Sequence, residues 1–241
     1  MTQLVELRDL TVCAGDRMLV EGIDVDVYAG KVTALVGASG SGKSLTARSI
    51  MCVLDVDPGL VRGRLRLPAH DPTKDWYDGV CGSGVRAQQE LLTRTQRLRG
   101  GYFSYSPQAA SSALNPGRTI GRQMELAIGR RETEQNLSDI SVLLREVGLK
   151  PEASRALPGE LSGGMCQRAA LAIALASRPK LVIADEPETG LDPVLRRAVI
   201  ELMVSVCKRR DAGLLLISHH VSTVERIADT VVRLSDPEDM S

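Results

Sequence analysis

The run Val32-Thr33-Ala34-Leu35-Val36 leads directly into Gly37-Ala38-Ser39-Gly40-Ser41-Gly42-Lys43-Ser44. A short continuous apolar run suits a buried parallel strand. The glycines let backbone N–H groups curl round an anion, and a helix is expected from Lys43 to about Leu54, adding its positive N-terminus at the same point. Strand, glycine loop and helix in this order confine the chain to an α/β fold with a phosphate-binding turn. The spacing G-x-x-x-x-G-K-[ST] assigns that turn a nucleoside triphosphate. Gly37, Ala38, Ser39, Gly40, Ser41, Gly42, Lys43, Ser44 and Leu45 are its expected contacts, with Lys43 at the β- and γ-phosphates and Ser44 on Mg²⁺. The competing reading, a chance glycine-rich turn, lacks a reason for the flanking strand and helix.

A second apolar run, Leu181-Val182-Ile183-Ala184, ends in Asp185-Glu186 and is stopped by Pro187. Carboxylates there fall at the carboxyl edge of a sheet, where α/β folds hold ligands. Asp185 is expected to orient the Mg²⁺ shell and Glu186 to act as general base or water-positioning group. The bland alternative is an exposed acidic turn.

Further strands are expected at 3–12, 23–28, 102–105, 214–217 and 231–234, with an edge strand at 63–67. Residues 68–84 are rich in Pro, Asp and Gly and read as an irregular loop. Helices are expected at about 86–99, through 119–150 with breaks near Gly129 and Asn136, and from Leu161 to about Ser177. No element is assigned to 193–209. No internal repeat or low-complexity tract is visible.

Lys plus Arg and Asp plus Glu number 30 each, which argues against a large nucleic-acid surface. Arg86, Arg94, Arg97 and Arg99 form the nearest basic run and read as a solvated helix face. The N-terminus has no signal-peptide pattern, and no apolar run approaches the ~18–20 residues of a membrane span. Any membrane role is expected to pass through a partner. Cys13, Cys52, Cys81, Cys166 and Cys207 have no CxxC spacing and read as reduced thiols.

Leu161-Ser162-Gly163-Gly164-Met165-Cys166-Gln167-Arg168 opens the long helix. Ser162 has the chemistry of a helix cap. Together with the glycine loop, the octapeptide resembles the signature of ABC-type ATPases, a likeness covering nearly the whole chain. It implies a RecA-like core sheet with an N-terminal antiparallel β subdomain and an inserted α-helical subdomain: core at about 1–108 and 159–241, helical part at about 109–158. It also implies a head-to-tail dimer in which Ser162, Gly163, Gly164 and Asp192 serve the ATP of the opposite subunit. Gln108 resembles the Q-loop glutamine, touching Mg²⁺ or the attacking water. His219 resembles the switch histidine at the γ-phosphate. Ser112-Ala113-Leu114-Asn115-Pro116 and Met165 are similar to importer ATPases for peptides, nickel and metal–opine complexes, and residues 34–46 most resemble the nickel type. The resemblance implies hydrolysis of ATP at the cytoplasmic side of a membrane. The implied partners are two permease subunits, an extracytoplasmic binding protein and a second ATPase subunit, a different one being favoured, with no nucleic acid.

Several positions depart from that pattern. Val12-Cys13-Ala14-Gly15 stands where an aromatic residue commonly stacks on adenine, and Tyr28 lies too close to the loop to replace it. Glu188 replaces the usual threonine and adds a charge beside the turn at Gly190-Leu191-Asp192. His220 replaces the usual acidic residue and reads as an exposed loop residue. Residues 68–90 look longer than the matching loop, and the short end after the last strand reads as a minimal version. A non-transport ABC ATPase of the DNA-repair or translation type is the alternative, but it would be expected to carry coiled-coil insertions or zinc modules. A P-loop kinase gives no reason for Ser162-Gly163-Gly164.

Overall fold

The computed structural model describes residues 1–108, 113–129 and 134–234. Two sheets organise it. The first is antiparallel, in the order β2-β1-β4-β5, from β1 (Gln3–Ala14), β2 (Arg17–Tyr28), β4 (Pro58–Leu67) and β5 (Asp71–Asp75). The second has the order β6-β7-β8-β3-β9, from β3 (Val32–Val36), β6 (Phe103–Ser106), β7 (Leu181–Asp185), β8 (Gly213–Ser218) and β9 (Thr230–Arg233). All its pairings are parallel.

Buried parallel strands use both faces. Val32, Ala34 and Val36 of β3 join Val182, Ala184, Leu214 and Leu216 in one core. This core is covered by α3 (Ile120–Ile128), α4 (Glu134–Glu146), α5 (Gly163–Ala176), α6 (Pro193–Arg209) and the short α7 (Val221–Val224). Leu35, Leu181, Ile183, Leu215 and Ile217 face the other way, against the antiparallel sheet and α1 (Lys43–Ile50). Thr33 is fully buried yet satisfied, its hydroxyl donating to the Asp26 carbonyl at 2.8 Å. The two sheets are thereby tied near the start of β3.

Several elements differ from the sequence reading. Residues 68–84 are not wholly irregular. Asp71–Asp75 forms β5, which makes β5 the edge and leaves 63–67 inside a longer β4 between β1 and β5. The helix read at 86–99 is α2 (Gly84–Arg94), followed by a 3₁₀ turn at Gln96–Leu98. Its Gln88 is buried and its amide bonds Val56 O, Pro58 O and Leu60 N, which fastens the helix onto β4. The basic face is only partly solvated. Arg86 pairs with Glu90, but Arg94 donates to the Trp76 carbonyl, and Arg99 donates to Leu92 O at 2.6 Å and Thr95 Oγ1 at 3.0 Å. Arg94 and Arg97 nonetheless stay exposed, and Arg99 is half-buried.

The break at Gly129 is real, with φ 96° ending α3. Asn136 lies inside α4. Helix α6, unassigned from sequence, is built by Asp192 as cap and Pro193 at its first position. Ser112 of the predicted Ser-Ala-Leu-Asn-Pro motif lies outside the described residues. All five cysteines are free thiols. Among the described residues, no helix is long and apolar enough to cross a membrane.

Candidate functional site

The carboxyl ends of four adjacent parallel strands converge, and the predicted residues leave them in spatial order. Gln108 follows β6, Asp185 and Glu186 end β7, His219 follows β8, and the glycine loop follows β3. The loop is built for close approach. A Cβ on Gly37 would stand 2.6 Å from Ser41 Oγ and 2.7 Å from Leu234 O, and Gly42 sits at φ 87° as the residue before α1. Among the described residues, no side chain caps α1, and Ser41 Oγ is buried without a hydrogen-bond partner. Free donors and an orphaned hydroxyl at one helix start fit a bound phosphate.

Lys43 is 5% exposed, and its ammonium donates to the carbonyls of Gly37 and Ala38 at 2.9 and 2.5 Å. The cation is therefore folded over the loop that phosphates would fill. Ser44 Oγ donates to Asp185 Oδ1 at 3.0 Å. A hydroxyl beside a buried carboxylate is a hard-oxygen pair, the donor chemistry that suits Mg²⁺. Tyr105, which the sequence reading did not single out, donates from its hydroxyl to Asp185 Oδ2 at 2.9 Å. Burial and the neighbouring Asp185 charge push the Tyr105 phenol well up, so it remains a donor.

Glu186 is a non-glycine residue at positive φ, 45°, a conformation that costs energy and is held by its surroundings. Its N–H donates to Ile217 O at 3.0 Å. Its carboxylate is held from three sides: Gln108 Nε2 and Thr189 Oγ1 each donate to Oε2 at 3.2 Å, and His219 Nδ1 lies 3.4 Å from Oε1. Thr189 is a second contact missed from sequence. Its only signal is its place three residues after Glu186.

Glu188, expected as an added charge beside the turn, is wholly buried, and its Oε1 accepts from the Ser218 hydroxyl. Ser218 Oγ in turn accepts from His220 N at 3.0 Å. His220 is half-buried, not an exposed loop residue as read. Burial, then the neighbouring His219 and Arg196, lower its pKa and favour the neutral ring.

Ser162 and Asp192 are apart from this network. Ser162 caps α5, accepting from Met165 N at 3.4 Å, and Asp192 caps α6, accepting from Val194 N and Leu195 N at 3.0 Å. The cap reading of Ser162 therefore holds. A Cβ on Gly164 would meet Leu195 at 3.8 Å, so the two helix starts lie side by side. Ser162, Gly163, Asp192, Val194 and Leu195 are exposed there. Among the described residues, no hydrogen bond joins Ser162 to the Lys43–Asp185 group.

Comparison with known proteins agrees with this geometry. The ABC transporter family profile matches residues 20–189. The chain is 36% identical over 222 residues to the oligopeptide transport ATP-binding protein AppD of Bacillus subtilis, covering 88% of this chain and 62% of that protein. It is 35% identical over 244 residues to the peptidoglycan transport ATP-binding protein YejF of Agrobacterium fabrum, covering 95% of this chain and 41% of that protein. It thus spans about three-fifths of AppD and less than half of YejF. Among solved structures, an ATP-binding subunit of an ABC transporter superposes with TM-score 0.69 at 28% identity, over 96% of this chain and 85% of that one. A dimeric ATP-binding cassette in a post-hydrolysis state with ADP and Pi superposes with TM-score 0.72 at 21% identity, over 96% and 94%; this second likeness carries the fold alone.

Proposed function

This chain belongs to the ABC transporter family, and we propose that it is the ATP-binding and ATP-hydrolysing subunit of an importer that takes up peptides. The observation that carries the hydrolytic reading is the carboxylate of Glu186, held by Gln108, Thr189 and His219 one residue beyond the Ser44–Asp185 pair.

On this reading Lys43 leaves the carbonyls of Gly37 and Ala38 and transfers its charge to the β- and γ-phosphates. Ser44 and Asp185 would hold Mg²⁺, with Gln108 reaching its shell. When bound, that ion offsets phosphate charge. Glu186 accepts the proton of the attacking water, and the amide of Gln108 keeps the carboxylate aimed. His219 turns from Glu186 Oε1 to the γ-phosphate.

Ser162, Gly163, Gly164 and Asp192 serve the ATP of a second ATPase subunit. The exposure of Ser162, Gly163 and Asp192 on one surface, without a hydrogen bond to the Lys43–Asp185 group among the described residues, supports that role. The partner is a different ATPase in the arrangement we favour. Two permease subunits and an extracytoplasmic binding protein complete the assembly, and the chain sits peripherally at the cytoplasmic side of the membrane. Residues from about 109 to 158 form the helical subdomain that receives the permeases; exposed Leu126, Val142 and Leu157 supply apolar surface for it. The peptide cargo is supported by the names of the relatives, and is preferred to the nickel or metal chelate suggested by the likeness of residues 34–46.

The test is ATP-dependent association of Glu186→Gln, alone and mixed with candidate partner ATPases. The variant is expected to bind ATP, hydrolyse it slowly and form a dimer stabilised by ATP. Tight ATP binding with no dimer in any mixture would sink the composite-site mechanism.

A further inference from the structure

Two positions at which the sequence departs from the ABC pattern meet in space. One carboxylate oxygen of Glu188 and one imidazole nitrogen each of His219 and His220 all lie within 4.8 Å of one another. Glu188 comes from the turn after β7 and the histidines from the end of β8, the neighbouring strand. The two rings are 4.0 Å apart between centroids and tilted by 44°. Glu188 is 0% exposed; Ser218 occupies Oε1, while Oε2 has no hydrogen-bond partner among the described residues. A buried carboxylate oxygen without a donor is costly unless a positive charge takes it. Pro187 fixes the backbone beside it, and the Ser218–His220 hydrogen bond ties the histidine loop to the same carboxylate.

We propose that Glu188, His219 and His220 form a site for a divalent transition-metal ion of the zinc–nickel class, and that its occupation withholds His219 from the γ-phosphate and slows hydrolysis. Two imidazoles and one carboxylate, with water in the remaining position, are the donor set such ions take. Mg²⁺ prefers oxygen donors in near-octahedral array, so the ion at Ser44 and Asp185 does not compete for the two imidazoles. Tetrahedral ligation at about 2.0–2.1 Å brings donor atoms to about 3.3 Å from one another, so the cluster must tighten. The His219 side chain, 45% exposed and only 3.4 Å from Glu186 Oε1, is free to turn. Once one ring nitrogen is ligated, that nitrogen is no longer open to the γ-phosphate, while the other keeps its N–H for a carboxylate such as Glu186. Because the metal and the γ-phosphate claim the same ring, each weakens the binding of the other by the same factor. The inhibitory half rests on the proposed function; the metal-binding half does not.

Zinc titration of the full, nucleotide-free chain against a chromophoric chelator tests the site, with zinc K-edge absorption of the loaded protein identifying the ligands. One tight site with two imidazole ligands is expected. His220→Ala and Glu188→Gln should each weaken it at least about tenfold, with circular dichroism and melting in chelator confirming that both variants fold. No binding at sub-millimolar zinc, equal affinity in both folded variants, or a thiolate-dominated spectrum would overturn the site. Hydrolysis at buffered free zinc tests the consequence. The wild type should be inhibited and His220→Ala resistant, with a zinc-free rate like the wild type's. Zinc bound at the site without inhibition would overturn the regulatory half. A wild type that binds zinc but hydrolyses no ATP even without zinc and with its partners would instead count against the proposed function.

Discussion

Ser44 and Asp185, 141 positions apart in the chain, share a hydrogen bond of 3.0 Å. The hydroxyl opens α1, and the carboxylate, 5% exposed, ends β7. Their meeting gives an oxygen pair beside the loop that Lys43 covers. Replacing Ser44 by Ala, or Asp185 by Asn, is expected to abolish most of the tightening of ATP that Mg²⁺ produces, while metal-free binding changes little. Fluorescent-nucleotide titrations with and without Mg²⁺ check this. Equal Mg²⁺ dependence in wild type and both variants would remove these residues from the metal shell.

Gln88 carries the attachment of α2 to β4. Its amide satisfies two carbonyls and one N–H in a buried place, and Gly59 leaves room for it, since a Cβ there would stand 2.1 Å from Gln88 Oε1. Gln88→Ala leaves those groups unpaired, at a cost of about 1–3 kcal/mol. Urea unfolding should show that loss with an unchanged slope. Gly59→Ala should be at least as harmful, because it displaces the amide and also sits at φ 75°.

Asp229 supplies a pH-dependent element of stability. Burial pushes its carboxyl up, but hydrogen bonds from Lys31, Val32 N and Lys208 outweigh that and hold its pKa below the ordinary 3.8. The contribution is therefore present above the unfolded value and is lost as pH falls through the lower folded value. At neutral pH, Asp229→Asn should destabilise the fold by about 1 kcal/mol, the exposure of the ion pairs limiting the effect. The gap between variant and wild type should close as the pH is taken below 3.8. A gap that stays constant with pH would deny the charged form this role.

Strand β2 lies beside the nucleotide loop, and the end of β1 pairs with it. A Cβ on Gly42 would come within 2.5 Å of Val20 Cγ2, and Val20 pairs with Val12 across the hairpin. Ala14 closes that hairpin opposite Arg17 and offers no ring to a base. Ala14→Tyr is expected to tighten ATP by about tenfold, near the low end of the ~1–3 kcal/mol that a stacked base contributes, and to sharpen preference for ATP over GTP. Competition titrations with both nucleotides read this out.

What was legible in the sequence is what the backbone and local chemistry alone dictate. The run 32–44 specifies strand, turn and helix because each part needs the next, and Asp185-Glu186 marks a strand end because charge cannot continue a buried run. Gln108 and His219 were legible only through their order relative to those motifs. The cluster of Glu188, His219 and His220 was not, since contact between β7 and β8 is a property of sheet order, which the 30 residues between Glu188 and His219 do not disclose. Strand β5 was also hidden. Asp71-Pro72-Thr73-Lys74-Asp75 shows no alternation, because an exposed edge buries no face. Helix α6 has a readable start in Asp192-Pro193, a capping residue followed by proline at the first helical position. Its buried Val199, Ile200, Met203, Val206 and Cys207 follow helical spacing.

The row Gln108, Glu186, His219 and the glycine loop is carried by strands β6, β7, β8 and β3, lying edge to edge. Neighbouring strands repeat at about 4.8 Å, so the sheet acts as a ruler whose divisions no side chain can alter. The connections between those strands can lengthen or shorten while the graduations stay fixed. Reach is left as the adjustable quantity, one methylene at a time. An aspartate at 186 would sit on the correct mark and still fall short of its partners.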